Sequence, residues 1–396
     1  MQGITPDDAD IPFNMGRAYA KLNQLALAAE VYAKSVEQQP APLRCNAVAY
    51  QMAEDRIDLA QAEKYATAAI AATVQQMRDT SLEHVTREDV YKTSRIASYW
   101  DTWGWIRFQE GALQEAEKYV KSAWRVHALS IDSDHLGQIL EKLGRKPDAI
   151  RMYQMALATE GATPETRERL IRLAGAEANP DAMIEEGKGL LKDSRTIKVK
   201  NSRAVEGFAE FWILMSPGAT VRGVKFVAGD EELKPFEKDL AAAPYPDPFP
   251  EATETRMLRR GRLTCTHDSP DCRLFMLSSV GVPADEIPAA APSVAGDIGC
   301  VTLTGNAVAA KLLKKVQPIY PPEARQTRIQ GVVRLRAIIG KDGSVGKLEV
   351  VSGHPYLLQA ALDAVRQWRY EPTLVEGKPV EVDTVIDVYF QLINKP

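Results

Sequence analysis

The chain has 396 residues, 45% of them apolar and 26% charged, with a net charge of −4. That length fits about two to four domains, and the near-balanced charge argues against a nucleic-acid binder. No run reaches the roughly 18–20 apolar residues of a membrane-spanning helix, and the opening MQGITPDDADIPFN lacks the basic and apolar regions of a signal peptide.

Residues 9–175 read as pairs of helices. Gly16, Ala28, Tyr32 and Ser35 stand at offsets 0, 12, 16 and 19. Gly104, Ala116, Val120 and Ala123 repeat those offsets, as do Gly137, Ala149, Tyr153 and Ala156. Gly104 and Gly137 lie 33 positions apart, and a weaker unit holds Ala49, Ala62, Ala66 and Ala69. Small residues let the two helices of a pair approach closely, while large ones fill the gaps between pairs. No pair buries its own apolar stripe, so the pairs stack into a solenoid. The pattern resembles the tetratricopeptide repeat, whose period is about 34 residues; an ordinary helical bundle is the alternative. The polar stretch 76–97 breaks the period and is expected to be a long loop or an irregular helix. The polar stretch 180–194 also reads as helical.

The pattern then changes. TIKVKN, AEFWILMSP and ATVRGVKFVAGD read as short strands. AAAPYPDPFPEAT is a proline-dense loop, and RRGRLTCTHDSPDCRLFMLSSV reads as a hairpin turning at His267–Asp271. PADEIPAAAPSVAGD has the composition of a linker. In the last unit Val333, Leu335, Ala337 and Ile339 share one strand face, and Arg334 and Arg336 the other. Lys341-Asp342-Gly343-Ser344 is a hairpin turn, because glycine accepts the positive φ required there. Leu357, Leu358, Ala361, Val365 and Trp368 have helical spacing. A final strand over 380–392 puts Ile386, Val388 and Phe390 on one face and Asp383 and Asp387 on the other. Such alternation predicts an antiparallel sheet with one face solvated and a helix over the other.

The expected fold class is therefore multidomain α + β. It comprises a helical repeat domain (1–178), a polar helix with a small β-rich module (179–282), a linker (283–310) and a C-terminal antiparallel sheet with one packed helix (311–396).

The C-terminal unit resembles the C-terminal domain of the TonB energy-transducer family. The resemblance rests on Tyr320-Pro321, Ala324-Arg325, Gly331-Val332-Val333, Asp342-Gly343, Ser352-Gly353, Ala361–Val365, Trp368-Arg369-Tyr370-Glu371-Pro372, Gly377 and Val388–Leu392. It implies a periplasmic, non-catalytic protein of the Gram-negative envelope that docks a segment of an outer-membrane transporter by strand addition. The strand order of that family places the last strand at the free edge, so Val385, Asp387, Tyr389 and Gln391 are candidate partner-binding residues. A dimer through the same edge is a second expectation. The chain lacks the family's N-terminal membrane helix and its long proline-rich spacer. Its whole order is similar to the C-terminal part of larger bacterial envelope proteins that carry a transglutaminase-like region upstream, so a fragment, a shortened relative or the non-catalytic tail of such an enzyme is a further reading.

Position within the repeat puts Trp105 beside the packing glycine on the groove side. Asn14, Arg17, Lys21, Asp101, Asp134 and Gln138 occupy comparable positions. These seven are the candidate groove residues, with a solvated face as the plain alternative, and a scaffold whose groove binds the client is the competing function. Trp100 and Trp103 are expected to be packing residues. His84, His127, His135, His267 and His354 show no His-x-x-x-His spacing, and no Gly-x-Ser-x-Gly, phosphate loop or Cys-x-x-Cys is present. No catalytic residue, cofactor or metal is expected. Cys265 and Cys272 form a candidate hairpin disulfide; buried free thiols, or a zinc site with His267, are the alternatives. Cys45 and Cys300 are expected to be free.

Overall fold

The computed structural model describes residues 6–175, 179–278, 312–316, 318, 320–321, 331–352, 355–375, 378–380 and 382–390. These fall into two compact units, one ending at residue 278 and one starting at residue 312.

The first unit opens with helices α1 (Pro6–Lys21), α2 (Leu25–Gln38), α3 (Pro42–Glu54), α4 (Leu59–Met77), α5 (Arg87–Gln109), α6 (Leu113–His127), α7 (Ser130–Lys142), α8 (Lys146–Leu157), α9 (Pro164–Ala174) and α10 (Pro180–Ser194). The first eight form four hairpins of tetratricopeptide type. The reason is the glycine spacing. A Cβ placed on Gly137 would sit 2.5 Å from the Tyr153 ring, and one on Gly104 would sit 2.7 Å from a Val120 methyl. Gly16 faces Tyr32 in the same way. In these three hairpins the large residue follows the glycine by 16 positions; the α3–α4 hairpin has buried Ala49, Ala62, Ala66 and Ala69 instead.

The stretch 76–97 divides differently from expectation. Helix α4 runs through Met77, and α5 begins at Arg87 and extends for 23 residues. A capping box sets that start: Asp89 N–H donates to Thr86 Oγ1 at 3.3 Å, and Thr86 N–H donates to Asp89 Oδ2 at 2.9 Å. Only the residues between remain irregular. Among them Leu82 and Val85 cover Trp212, Leu214 and Leu258 on one face of a sheet.

That sheet is antiparallel, with five strands: β1 (Thr196–Lys200), β2 (Gly207–Ser216), β3 (Thr220–Gly229), β4 (Met257–Cys265) and β5 (Asp271–Met276), in the order β1-β5-β4-β2-β3. Its other face packs partly on Leu233, Phe236 and Leu240 from the segment after β3, and partly on the helices. Phe211, Ile213, Met215, Leu263 and Leu274 share one cluster with Val74, Met77, Ile96, Trp100, Ala123 and Val126 of the helices. The proline-dense loop joins in through Phe249, whose ring meets Trp100 edge-on at 6.2 Å. Thr93 Oγ1 donates to the Leu258 carbonyl at 3.0 Å. The β-rich segment is thus built onto α4–α6. Trp100 is buried as expected, though against the sheet. The Trp103 ring lies 4.1 Å from that of Tyr119, tilted by 35°.

The second unit holds β6 (Leu312–Lys314), β7 (Gly331–Ile339), β8 (Val345–Ser352), helix Pro355–Val365, β9 (Arg369–Tyr370), β10 (Thr373–Val375), β11 (Lys378–Val380) and β12 (Val382–Phe390). The main sheet has the order β12-β7-β8. Val333, Leu335, Ala337 and Ile339 of β7, with Ile386 and Val388 of β12, pack against Leu357, Ala361, Val365 and Trp368. Trp368 pins this core by donating its indole N–H to the Val316 carbonyl at 2.8 Å. Gly343 takes φ +77° at the β7–β8 turn, where Tyr370 N–H reaches its carbonyl at 2.8 Å. The last strand is shorter than expected: Val380 belongs to β11 and pairs with Thr373, so β12 starts at Val382, and Leu392 lies outside the described residues. Among the described residues no helix is long and apolar enough to cross a membrane.

Two glycine substitutions should move stability in opposite directions. Gly104→Ala gains about 1 kcal/mol of helix propensity but forces an overpacked contact costing about 1–3 kcal/mol, so a urea melt should show a net loss. Gly189→Ala, on the exposed face of α10 with nothing within 4 Å of a new Cβ, should instead gain about 0.5–1 kcal/mol.

Candidate functional site

Two surfaces follow from this architecture. The first is the edge of the C-terminal sheet. Strand β12 pairs with β7 over nine consecutive residues without a register shift, from Val382↔Ile339 to Phe390↔Gly331. Among the described strands nothing pairs with its other side. Alternate residues of an antiparallel edge strand turn their N–H and C=O groups outward, so β12 offers a row of unpaired backbone groups. Val385, Asp387 and Tyr389 lie on this strand opposite Arg336, Arg334 and Val332. Gln391 lies outside the described residues. The opposite edge, β8, is less regular, since its pairing with β7 is interrupted at Arg334/Leu335 and at Ala337/Ile339.

The second surface is the set of repeat positions read as a groove. Asn14, Arg17 and Lys21 are exposed on α1. The others are drawn inward. Trp105 is only 5% exposed, its N–H donates to Glu54 Oε1 at 2.5 Å, and its ring stacks on His135 at 3.9 Å with an interplanar angle of 11°. His135 Nδ1 lies 2.9 Å from Asp101 Oδ2. Asp134 is held by Gln138 Nε2 at 2.8 Å and by Arg169 Nη1 at 2.9 Å. Asp101, Trp105 and Asp134 therefore form a buried polar seam between α5, α7 and their neighbours. The expectation that Trp105 presents its ring to a partner is corrected here, because the ring and its N–H are spent on His135 and Glu54. His135 was not among the candidate residues. The signal for it is the repeat itself: it follows Asp101 by 34 residues, about one period.

Cys265 and Cys272 are joined by a disulfide that ties the ends of β4 and β5, with Cα atoms 4.3 Å apart. Their sulfurs are bonded to each other, which removes the zinc reading. Among the described residues no cluster of metal-ligating side chains gathers. Cys45 is also disulfide-bonded, against the expectation that it is free.

Residues 316–392 match the family model described as the Gram-negative bacterial TonB protein C-terminal. Over 80 residues the chain is 35% identical to Protein TonB of Vibrio cholerae, covering 20% of this chain and 33% of that protein. Over 92 residues it is 32% identical to Protein TonB of Escherichia coli K12, covering 23% of this chain and 36% of that one. The chain thus spans about a third of the length of the curated relatives it matches. A solved structure titled "Functional Characterization of Pseudomonas Aeruginosa pilF" is similar with a TM-score of 0.21 and 15% identity, covering 48% of this chain and 89% of that one.

The buried seam carries a pH dependence. Burial opposes the charged imidazole of His135, but the carboxylates around it, Asp101 foremost with Asp134 and Glu54, together outweigh burial and hold its pKa above the ordinary 6.5. A raised folded-state pKa contributes stability in full below about pH 6.5. The contribution is lost as pH rises through the raised value. Asp101→Asn should lower the His135 pKa in an NMR titration and flatten the stability–pH curve above pH 6.5. An unchanged His135 titration would show that the pair does not set it.

Proposed function

We propose that this chain, whose residues 316–392 form a TonB-type C-terminal domain, is a non-catalytic interaction protein of the bacterial envelope that docks an extended partner peptide by strand addition along β12. The observation that supports this most is the contrast between the two sheet edges. Strand addition needs a straight, regular edge, because the incoming backbone must meet donors and acceptors at an even repeat. Bulges blunt an edge. β8 carries two irregularities in its pairing with β7, and β12 carries none.

The partner class follows the C-terminal domain's relatives, which are TonB proteins: a periplasm-facing segment of an outer-membrane transporter. The repeats keep exposed Asn14, Arg17 and Lys21 among their candidate groove residues. The disulfide between Cys265 and Cys272 fits an oxidising compartment such as the periplasm.

Hydrogen exchange read by mass spectrometry tests the docking directly. Adding a transporter's periplasmic segment to the full chain should protect amides in 382–390 and leave 345–352 unchanged. Tyr389→Pro should abolish that protection while circular dichroism shows the fold intact. Protection confined to the repeats would replace this reading with groove binding. Protection of 382–390 that rises with protein concentration alone, before any peptide is added, would identify a dimer edge.

A further inference from the structure

Where α6 ends against the sheet, four buried polar groups have no hydrogen-bond partner: Arg195 Nη2, Arg259 Nε, the Tyr245 hydroxyl and Trp124 Nε1. All four belong to residues that line one cavity of about 40 Å³. The chain brings them there from four separate places. Trp124 sits on α6, Arg195 directly follows α10, Tyr245 lies in the proline-dense loop, and Arg259 lies on β4.

Each arginine is fixed by part of its fork, which leaves the rest free. Arg259 is 5% exposed, and its Nη2 donates to the Arg125 and Val126 carbonyls at the end of α6 at 3.3 and 3.4 Å. Arg195 Nε donates to the Met276 carbonyl at 2.8 Å, and its guanidinium lies over the Phe275 ring at 5.3 Å. Arg125, also lining the cavity, gives Nη1 to the Asp247 carbonyl at 2.6 Å. No carboxylate lines the cavity, and none of the three arginines forms an ion pair among the described residues. Burial holds Arg259 down to about 9, with Arg195's charge adding to it, and burial holds Arg195 down to about 10. Both stay charged at neutral pH.

Buried cations without counter-ions, set among unpartnered donors, are costly unless something negative sits between them. The cavity offers donors and positive charge. Its volume exceeds the roughly 10–15 Å³ that one water needs by this measure, so it has room for a group of several atoms. Arginine forks match the paired oxygens of carboxylates and phosphates. Ser194 and Pro246 line the same cavity and are exposed, which gives it a mouth.

We propose that this cavity is a binding site for a small oxyanion, a free phosphate or a compact carboxylate, held between Arg195 and Arg259 with Tyr245 and Trp124 donating to it. The site lies wholly within the first unit and does not depend on docking at β12. Because it joins α6 and α10 to β2, β4 and β5, a bound oxyanion ties the repeats to the sheet.

The test uses the full chain at pH 7 and constant ionic strength, with thermal unfolding followed against phosphate, acetate and chloride. A ligand of the folded state raises Tm saturably. The expected result is a saturable rise with phosphate, acetate or both, with chloride inert; whichever oxyanion acts at the lower concentration identifies the class. Arg195→Gln should raise the midpoint concentration roughly tenfold or more, since it removes a charged donor. Tyr245→Phe, which keeps the ring in the core, should raise it by a smaller factor and decides the matter if Arg195→Gln does not fold. A rise common to all three salts, no rise with any of them, or wild-type midpoints in the folded variants would overturn the proposal.

Discussion

The contact between the five-stranded sheet and helices α4–α6 is the constraint on which the rest of the first unit depends. Neither side has a complete core without the other. Phe211, Ile213 and Met215 present an apolar face that Ile96, Trp100, Ala123 and Val126 cover, joined by Leu233, Phe236 and Phe249. Burial of several such side chains, each contributing about 1.5–3 kcal/mol, outweighs the cost of ordering the connecting loops. It also explains a buried arginine in an apolar contact. Arg259 reaches the carbonyls that end α6, where the helix leaves acceptors unsatisfied and a partial negative charge.

That contact decides which repeat surfaces remain open. With one side of α5 and α6 covered by the sheet, and with Asp101, Trp105 and His135 closed into a polar seam, the middle repeats are committed to internal packing. A seam of this kind is satisfied in pairs: indole to carboxylate, imidazole to carboxylate, guanidinium to carboxylate. Buried polar groups that lack such partners are expensive, so the seam fixes the stacking of α5 on α7 more sharply than apolar contacts alone would.

The second unit follows a different rule. Its core is small, one helix against three strands, and among the described strands nothing pairs with the outer edges of β12 and β8. Among the described strands β12 pairs with β7 without a register shift and has no partner on its outer side, while the pairing of β8 with β7 is interrupted twice. An exposed regular edge is an aggregation liability unless another strand occupies it. Trp368, bonded to the Val316 carbonyl, and the Gly343 turn, bonded to Tyr370, tie the helix and the β7–β8 turn into this unit's core.

Much of this was legible in the sequence, for a definable reason. The glycine-to-large-residue spacing of 16 is a contact between adjacent helices, and adjacent contacts leave periodic marks. The same holds for the alternation in β7 and β12, the Lys341–Ser344 turn and the spacing of Leu357, Ala361 and Val365. The start of α5 was written in Thr86 and Asp89, but the broken repeat period masked it. What the tertiary structure alone decided are the meetings between distant segments. The sequence marks Trp105 as a groove residue; only the fold brings Glu54 and His135 to it. It shows Arg195, Tyr245 and Arg259 as unrelated residues in three segments; only the docking of sheet on helices places them around one cavity. Local pattern records which face of an element is apolar, but not which other element covers it, because that choice is made by shape and by the pairing of polar groups across the whole unit.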